Sequence, residues 1–131
     1  MLEILPIQTK PEQEALCARA GIPYRVDAMA YRASVDGEIT AVCQFSMDAE
    51  GGHIHDLAMV KDKEFSDRDR IESLFVMGRA AMNFIDLCGV HYARYLGEIK
   101  DELLLIKIGF KKTENGAFEI DLNGFFTDHC H

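Results

Sequence analysis

Two pairs of histidines have the spacing that metal ligands use. His53 and His55 lie two residues apart, so on a strand they would share a face, and His129 and His131 repeat that spacing. A zinc site needs about four converging ligands, and only the fold could bring these pairs together. The alternative is that the first pair consists of surface residues beside a Gly-Gly turn and the second belongs to a frayed C-terminus. No metal site is assigned from the sequence.

Three arginines could hold an anionic ligand. Arg68, Arg70 and Arg79 fall within one predicted helix, which also carries acidic residues at positions 67, 69 and 72. The alternative is that arginines and carboxylates pair on a solvated helix face. Exposed pairs of this kind contribute only about 0.3–0.5 kcal/mol each.

The four cysteines do not indicate cysteine chemistry. They are scattered without a C-x-x-C pair, which is typical of reduced thiols. Cys43 and Cys88 lie among apolar neighbours and are expected in the core. Cys17 has no basic neighbour other than Arg19 that would lower its pKa. A cysteine-based transferase is therefore not predicted.

Composition limits the class of protein. The 131 residues include 14 basic and 22 acidic ones, giving a net charge of −8, and 48% are apolar. These values indicate one globular domain over residues 1–131. The acidic balance argues against nucleic acid or an anionic membrane as partner, because phosphates would be repelled.

The N-terminal segment and the apolar runs predict a location. The first residues lack the basic and long apolar stretches of a signal peptide. The longest purely apolar run, Leu103–Ile106, is far shorter than the ~20 residues that span a bilayer. We therefore expect a cytoplasmic protein.

The candidate residues must be positioned by elements in the order β-α-β-β-β-α-β-α-β-β. Thr9 is expected to cap the first helix, and Ser66 with Asp69 to start the second. Short turns at Asp36-Gly37 and at residues 48–52 force the three strands that they join to be antiparallel. The predicted strands cover residues 2–7, 29–35, 38–47, 53–60, 90–96, 110–113 and 117–122. The predicted fold is α/β (α+β in some schemes), a mixed, mostly antiparallel sheet of about seven strands with helices on both faces.

Two segments resemble motifs of the GNAT N-acetyltransferase superfamily. Residues 56–60, DLAMV, resemble the acid-Leu-Ala-Val segment of that family's fourth strand. Residues 103–113, LLLIKIGFKKT, resemble its closing motif, a short helix that ends in Gly-Phe before a strand. The order of elements is similar over essentially the whole chain, which is thus identified as a single GNAT-like domain.

The resemblance implies an acetyl-CoA site in a V-shaped opening between the fourth and fifth strands. It implies that backbone groups of Leu57, Ala58, Met59 and Val60 hold the pantetheine arm, and that a helix N-terminus holds the pyrophosphate. It also implies Asp56 as the base that deprotonates an amine before the amine attacks the thioester.

The segment before the second helix departs from the family pattern. Where the family's phosphate loop has Arg or Gln and two glycines, this chain has Ser66, Asp69 and Ile71. The change removes backbone freedom and adds negative charge at the expected phosphate position. Arg68 and Arg70 would partly offset that charge and become the implied phosphate contacts.

Two further positions differ. The Tyr with which the family often protonates the leaving thiolate corresponds to Leu105, and the Asn that often follows the fifth strand falls near Glu98. These departures put the chemistry of the site in question more than its fold.

The expected function is acyl transfer from acetyl-CoA to the amine of a small molecule or a protein. The alternative is a catalytically inactive GNAT-fold binding or regulatory module that no longer binds CoA. A homodimer with a structural role is a third possibility, in which exposed Phe125 and Phe126 would form part of the interface.

Overall fold

A computed structural model of the chain describes residues 1–126, which form seven strands and three helices in the predicted order. The strands are β1 (Leu2–Pro6), β2 (Met29–Val35), β3 (Glu38–Asp48), β4 (Gly51–Met59), β5 (Tyr92–Tyr95), β6 (Lys111–Lys112) and β7 (Phe118–Asp121). The helices are α1 (Lys10–Ala20), α2 (Asp67–Leu87) and α3 (Glu102–Ile108).

The strands form one sheet in the order β1-β2-β3-β4-β5-β7-β6. Strands β1 to β4 are antiparallel neighbours, β4 and β5 are parallel, and the remaining pairs are antiparallel. The predicted mixed, mostly antiparallel sheet is confirmed. Helix α1 packs on one face, and α2 packs on the other across β1 to β5 with α3 beside it.

The predicted caps and the first turn are also present. The Thr9 side chain accepts a hydrogen bond from Glu12 N, and the Ser66 side chain accepts one from Asp69 N. Asp36 and Gly37 both have positive φ, 52° and 85°, as a two-residue hairpin turn requires. Local side-chain chemistry therefore sets where these elements begin and reverse.

Several predictions about core and surface need correction. Cys43 is buried, but Cys88 is exposed because it is the C-cap of α2 and lies outside the helix's apolar stripe. Phe125 and Phe126 are half-buried against the core, so they do not form the exposed apolar surface suggested for a dimer interface.

Arg79 is half-buried and contacts the end of α3. Its Nε donates to Ile108 O at 2.5 Å, which satisfies a carbonyl at the end of α3. Its guanidinium carbon lies 4.9 Å from the Phe75 ring centroid and 4.8 Å from that of Phe125. These contacts account for Arg79 without an anionic ligand or a carboxylate partner.

No helix within residues 1–126 is both long enough and apolar enough to cross a membrane.

Candidate functional site

A gap opens in the sheet where β4 and β5 separate. Their parallel pairing covers only Gly52 to Ile54 of β4, and the bond from Leu96 N to Ile54 O, 2.8 Å long, ends it. A cavity of about 490 Å³ fills the gap beyond that point, a volume typical of small-molecule sites. Its walls come from β4, the loop after α1, the N-terminal part of α2, the loop after β5, and α3.

The edge of β4 that faces the gap has free backbone groups. Val60 N donates to Thr40 O across the β3 side. Because backbone groups alternate along an antiparallel strand, the N–H and C=O groups of Leu57 and Met59 point away from β3 and into the gap. Among residues 1–126 no strand pairs with them there, since β5 has already diverged. Leu57 to Val60, the residues that the resemblance implies for the pantetheine wall, all line the cavity.

A β-bulge places two consecutive polar residues on the same sheet face. Gln44 pairs with Asp56 and Phe45 pairs with Ile54, which leaves His55 as the extra residue on β4. A bulge interrupts the alternation of side chains, so His55 and Asp56 both project toward the face that α1 covers. Both residues line the cavity.

Asp56 is buried and held as part of an ion pair. It is 7% exposed, and Arg25 Nε donates to its Oδ2 at 2.7 Å while Arg25 Nη2 lies 3.4 Å from its Oδ1. Gln44 Nε2 also donates to Oδ2, at 2.7 Å. The hydrogen bond with Asp56 raises the pKa of Arg25. Asp56 is therefore a buried strand residue and does not face solvent.

Gln44 connects this ion pair to the loop that follows α1. Its Oε1 accepts from Gln13 Nε2 at 2.9 Å and from Arg25 N at 3.0 Å, and its Nε2 donates to Pro23 O at 2.8 Å. The amide thus uses both ends to hold the loop over the cavity.

His55 is held by one hydrogen bond. Its Nε2 lies 2.7 Å from Ser46 Oγ. Burial lowers the pKa of His55, and the positive charge of Arg25 acts in the same direction. His55 therefore stays neutral near pH 7.

The narrow end of the gap is closed by the residues that follow β5. Tyr95 Oη donates to Glu98 O at 2.6 Å, and burial raises the pKa of Tyr95 to about 12. A Cβ placed on Gly97 would lie 2.6 Å from Tyr95 Oη and 2.9 Å from His55 O. Only glycine fits here without moving the loop away from β4.

Three cations besides Arg25 line the cavity. Arg70, in the first turn of α2, lies 3.4 Å from Asp101 and 3.9 Å from Asp67, and Lys100 lies 3.8 Å from Glu98. Lys61 also lines the cavity and makes no ion pair with any residue from 1 to 126. The lining also contains the carboxylates of Glu98 and Asp101, which pair with Lys100 and Arg70, so Lys61 is the cation of the three that has no carboxylate partner among residues 1–126.

The acidic start of α2 does not fill the cavity. Asp67 and Asp69 lie outside its lining, as does Arg68, which is 83% exposed and pairs with Glu72 at 3.1 Å. The Ser66 hydroxyl already accepts from Asp69 N, so that amide is not free. Of the two arginines predicted to bind phosphate, Arg70 is the one that the structure places at the cavity.

The remaining candidates lie elsewhere. His53 shares a face with His55, as predicted, with ring centroids 6.1 Å apart, but it is only 5% exposed and so is not a surface residue. Its Nε2 lies 3.0 Å from Asp48, whose neighbour Glu50 lies 3.6 Å from Arg94. Asp48 and Glu50 are exposed carboxylates and we assign no metal there, while His53 Nδ1 is buried without a hydrogen-bond partner among residues 1–126. His129 and His131 fall outside the described residues.

Cys17 is buried at the centre of α1. Burial raises its pKa to about 11, so the thiol is protonated at neutral pH and unsuited to nucleophilic attack. The expectation that this cysteine is not a catalytic nucleophile agrees with its surroundings.

Among the comparisons with known proteins, the one with solved structures identifies the fold. No protein-family model matches the sequence, and no curated protein matches it. Among solved structures, it resembles a Bacillus subtilis acetyltransferase in complex with CoA at 16% identity and a TM-score of 0.66, over 93% of this chain and 99% of that one. It also resembles the PaiA N-acetyltransferase of Thermoplasma acidophilum in complex with coenzyme A at 14% identity and a TM-score of 0.60, over 92% of this chain and 99% of that one.

A third neighbour is the ribosomal-protein-S18-alanine N-acetyltransferase of Escherichia coli, with 12% identity and a TM-score of 0.64 over 93% of this chain and 94% of that one. The chain has the fold of the GNAT N-acetyltransferases, as the sequence predicted.

Sequence reasoning missed several residues of the site. Arg25 and Tyr95 line the cavity and Gln44 lies behind Asp56, and they reach the site through loop and strand pairing rather than through local spacing. Lys61 could have been found by one signal, a basic residue directly after a strand expected to border the opening.

Proposed function

We propose that the protein is an N-acetyltransferase that moves an acetyl group from acetyl-CoA to an amine by direct attack on the thioester. The observation that carries the proposal is the cavity between β4 and β5, which combines a free strand edge with a cluster of cations. The acceptor would be a small molecule or a protein amine.

The residues at the cavity suit the two ends of acetyl-CoA. The backbone groups of Leu57 and Met59 would hydrogen-bond an extended pantetheine arm, with Ala58 and Val60 completing the wall. Arg70, Lys61 and Lys100 would hold the phosphates, because charge-assisted hydrogen bonds to phosphate oxygens are stronger than neutral ones. Acetyl-CoA itself supplies the activated acyl group.

Asp56 belongs to the same proposed site. The base role implied for it by resemblance stays a prediction, and Asp56→Asn tests it because the amide keeps an acceptor oxygen for Gln44 and Arg25. In the structure, the carboxylate holds Arg25 and thereby the loop over the cavity.

CoA and acetyl-CoA binding, measured by calorimetry at low and moderate salt, tests the function. We expect micromolar binding that weakens with salt, since phosphate contacts are screened. Arg70→Ala should weaken it about 5- to 20-fold, or roughly 1–2 kcal/mol. Lys63→Ala is the matched control, because Lys63 is an exposed cation before α2 that pairs with Glu38 away from the cavity.

Two further results decide between the alternatives. Arg68→Ala should change affinity less than threefold, and an effect as large as that of Arg70→Ala would restore the sequence-based role of Arg68. No binding at millimolar CoA would reject the acetyltransferase proposal. The missing glycines before α2 and the occupied Asp69 N–H favour the alternative in that case, a binding module that takes another ligand in this cavity.

A further inference from the structure

The cavity reaches both faces of the sheet through the gap between β4 and β5. On one face it is lined by Arg70 and Leu74 of α2, and on the other by Pro23 and Arg25 of the loop after α1. If the proposed function holds, acetyl-CoA bound by the cations and the free edge of β4 brings its thioester to the narrow end of the gap. The acceptor amine must then approach from the face of the sheet that α1 covers.

Two side chains that could act as a base lie on that face, those of His55 and Asp56. Asp56 has both oxygens in contact with Arg25, and Gln44 donates to one of them. Both oxygens of this carboxylate are therefore already engaged by hydrogen-bond donors of Arg25 and Gln44.

His55 has the properties that Asp56 lacks. One ring nitrogen, Nε2, is 2.7 Å from Ser46 Oγ, and within residues 1–126 the imidazole makes no other hydrogen bond, which leaves Nδ1 open. Burial lowers the pKa of His55, so the ring is neutral and able to accept a proton near pH 7. The charged and titratable groups that face it are Arg25 of the loop after α1, Asp48 of β3, and His53 and Asp56 of β4.

We propose that His55 Nδ1 is the base that deprotonates the acceptor and that Ser46 is a positioning residue, its Oγ accepting the Nε2 proton of His55. In the step, R–NH3⁺ gives one proton to Nδ1, and the amine nitrogen forms a bond to the thioester carbonyl carbon. The C–S bond breaks, the second proton lost by that nitrogen ends on the CoA sulfur, and His55 returns its proton to solvent. This inference rests on the proposed acetyltransferase function and names its base.

The test follows release of the CoA thiol with a panel of primary amines (ethanolamine, glycinamide, spermidine and a short peptide with a free N-terminus). His55→Gln preserves size and a donor for Ser46 but removes the base. We expect kcat/KM at pH 7 to fall about 10²- to 10⁴-fold, with CoA affinity by calorimetry unchanged. His91→Gln is the matched control, because His91 pairs with Asp86 in the turn after α2, away from the cavity.

The pH profile separates a base from a structural histidine. In the unmodified protein, kcat/KM should rise with pH through a pKa below about 6.5, the ordinary value for histidine, as His55 loses its proton. The His55→Gln variant should lack that rise of kcat/KM with pH. Its loss of kcat/KM relative to the unmodified protein should become smaller at high pH, where the amine is already deprotonated. Ser46→Ala should shift the limb and lower kcat less than His55→Gln does.

The outcomes distinguish this inference from the function on which it rests. If CoA binds and transfer survives His55→Gln within threefold with the acid limb intact, His55 is not the base. If Asp56→Asn then removes the limb, Asp56 is. If CoA binds but no amine is acetylated by the unmodified protein, both the function and the base assignment fail. If the unmodified protein does not bind CoA, the function is rejected, and the base assignment with it, before any histidine is changed.

Discussion

At the scale of single residues, the loop over the site depends on one buried amide. Gln44 is 0% exposed and joins Gln13, Arg25 and Pro23 to Asp56. Gln44→Leu would keep the volume but leave buried donors and acceptors without partners, each costing about 1–3 kcal/mol. We expect the free energy of unfolding to fall by about 2–4 kcal/mol, because the loop can relax and recover part of the loss.

Urea unfolding monitored by circular dichroism measures this change. Gln8→Leu is the control, since Gln8 is exposed and a surface substitution of the same kind is expected to stay within about 0.5 kcal/mol. A change for Gln44→Leu no larger than that of the control would mean that the amide network does not stabilise the fold.

The same residues show which features of the site can be predicted from local sequence. The two-residue spacing of His53 and His55 correctly predicts a shared face, because it depends only on strand geometry. The burial of Asp56 does not follow from its neighbours, since its partners Arg25 and Gln44 lie 31 and 12 residues away. The bulge that brings His55 beside Asp56 could not be predicted from the sequence either, because these residues fit a regular strand equally well.

At the scale of elements, the join between β4 and β5 requires a close approach at Gly51. Its φ is +129°, and a Cβ there would lie 2.6 Å from Tyr92 Cδ2 and 3.0 Å from Tyr92 O. Gly51→Ala therefore combines backbone strain with a clash against the chain entering β5. We expect a loss of about 2–4 kcal/mol in stability, seen as a lower melting temperature.

Gly89→Ala separates these two causes. Gly89 also has a positive φ, +87°, but nothing lies within 4 Å of a Cβ placed on it. It should show the cost of strain alone, about 1–2 kcal/mol. Equal losses at the two positions would contradict the close packing of Gly51 against Tyr92.

The element order was predictable because caps, turns and hydrophobic periodicity are local. Thr9, Ser66 and Asp36-Gly37 act where the sequence analysis expected. The fifth strand is shorter than predicted, Tyr92–Tyr95 instead of residues 90–96, because pairing ends where β4 diverges. The length of that strand is set by its neighbours, which its own residues do not encode.

At the scale of the whole molecule, the sheet is two parts joined at a short seam. Strands β1 to β4 form one antiparallel part and β5, β7 and β6 the other, with three residue pairs between β4 and β5. Helix α2 packs across β1 to β5 and holds the parts together. This arrangement keeps the unpaired backbone of β4 inside a stable fold. An isolated edge strand would instead expose its unpaired backbone to pairing with other chains.

That arrangement predicts a specific pattern of amide hydrogen exchange. The N–H groups of Leu57 and Met59 point into the gap and should exchange fast in the free protein, whereas Val42, in β3 between two strands, should be protected. If acetyl-CoA hydrogen-bonds the free edge, saturating CoA should slow exchange at Leu57 and Met59 more than at Val42. Uniform slowing would indicate only global stabilisation by binding, and unchanged exchange at Leu57 and Met59 with CoA bound would place the ligand away from the edge of β4.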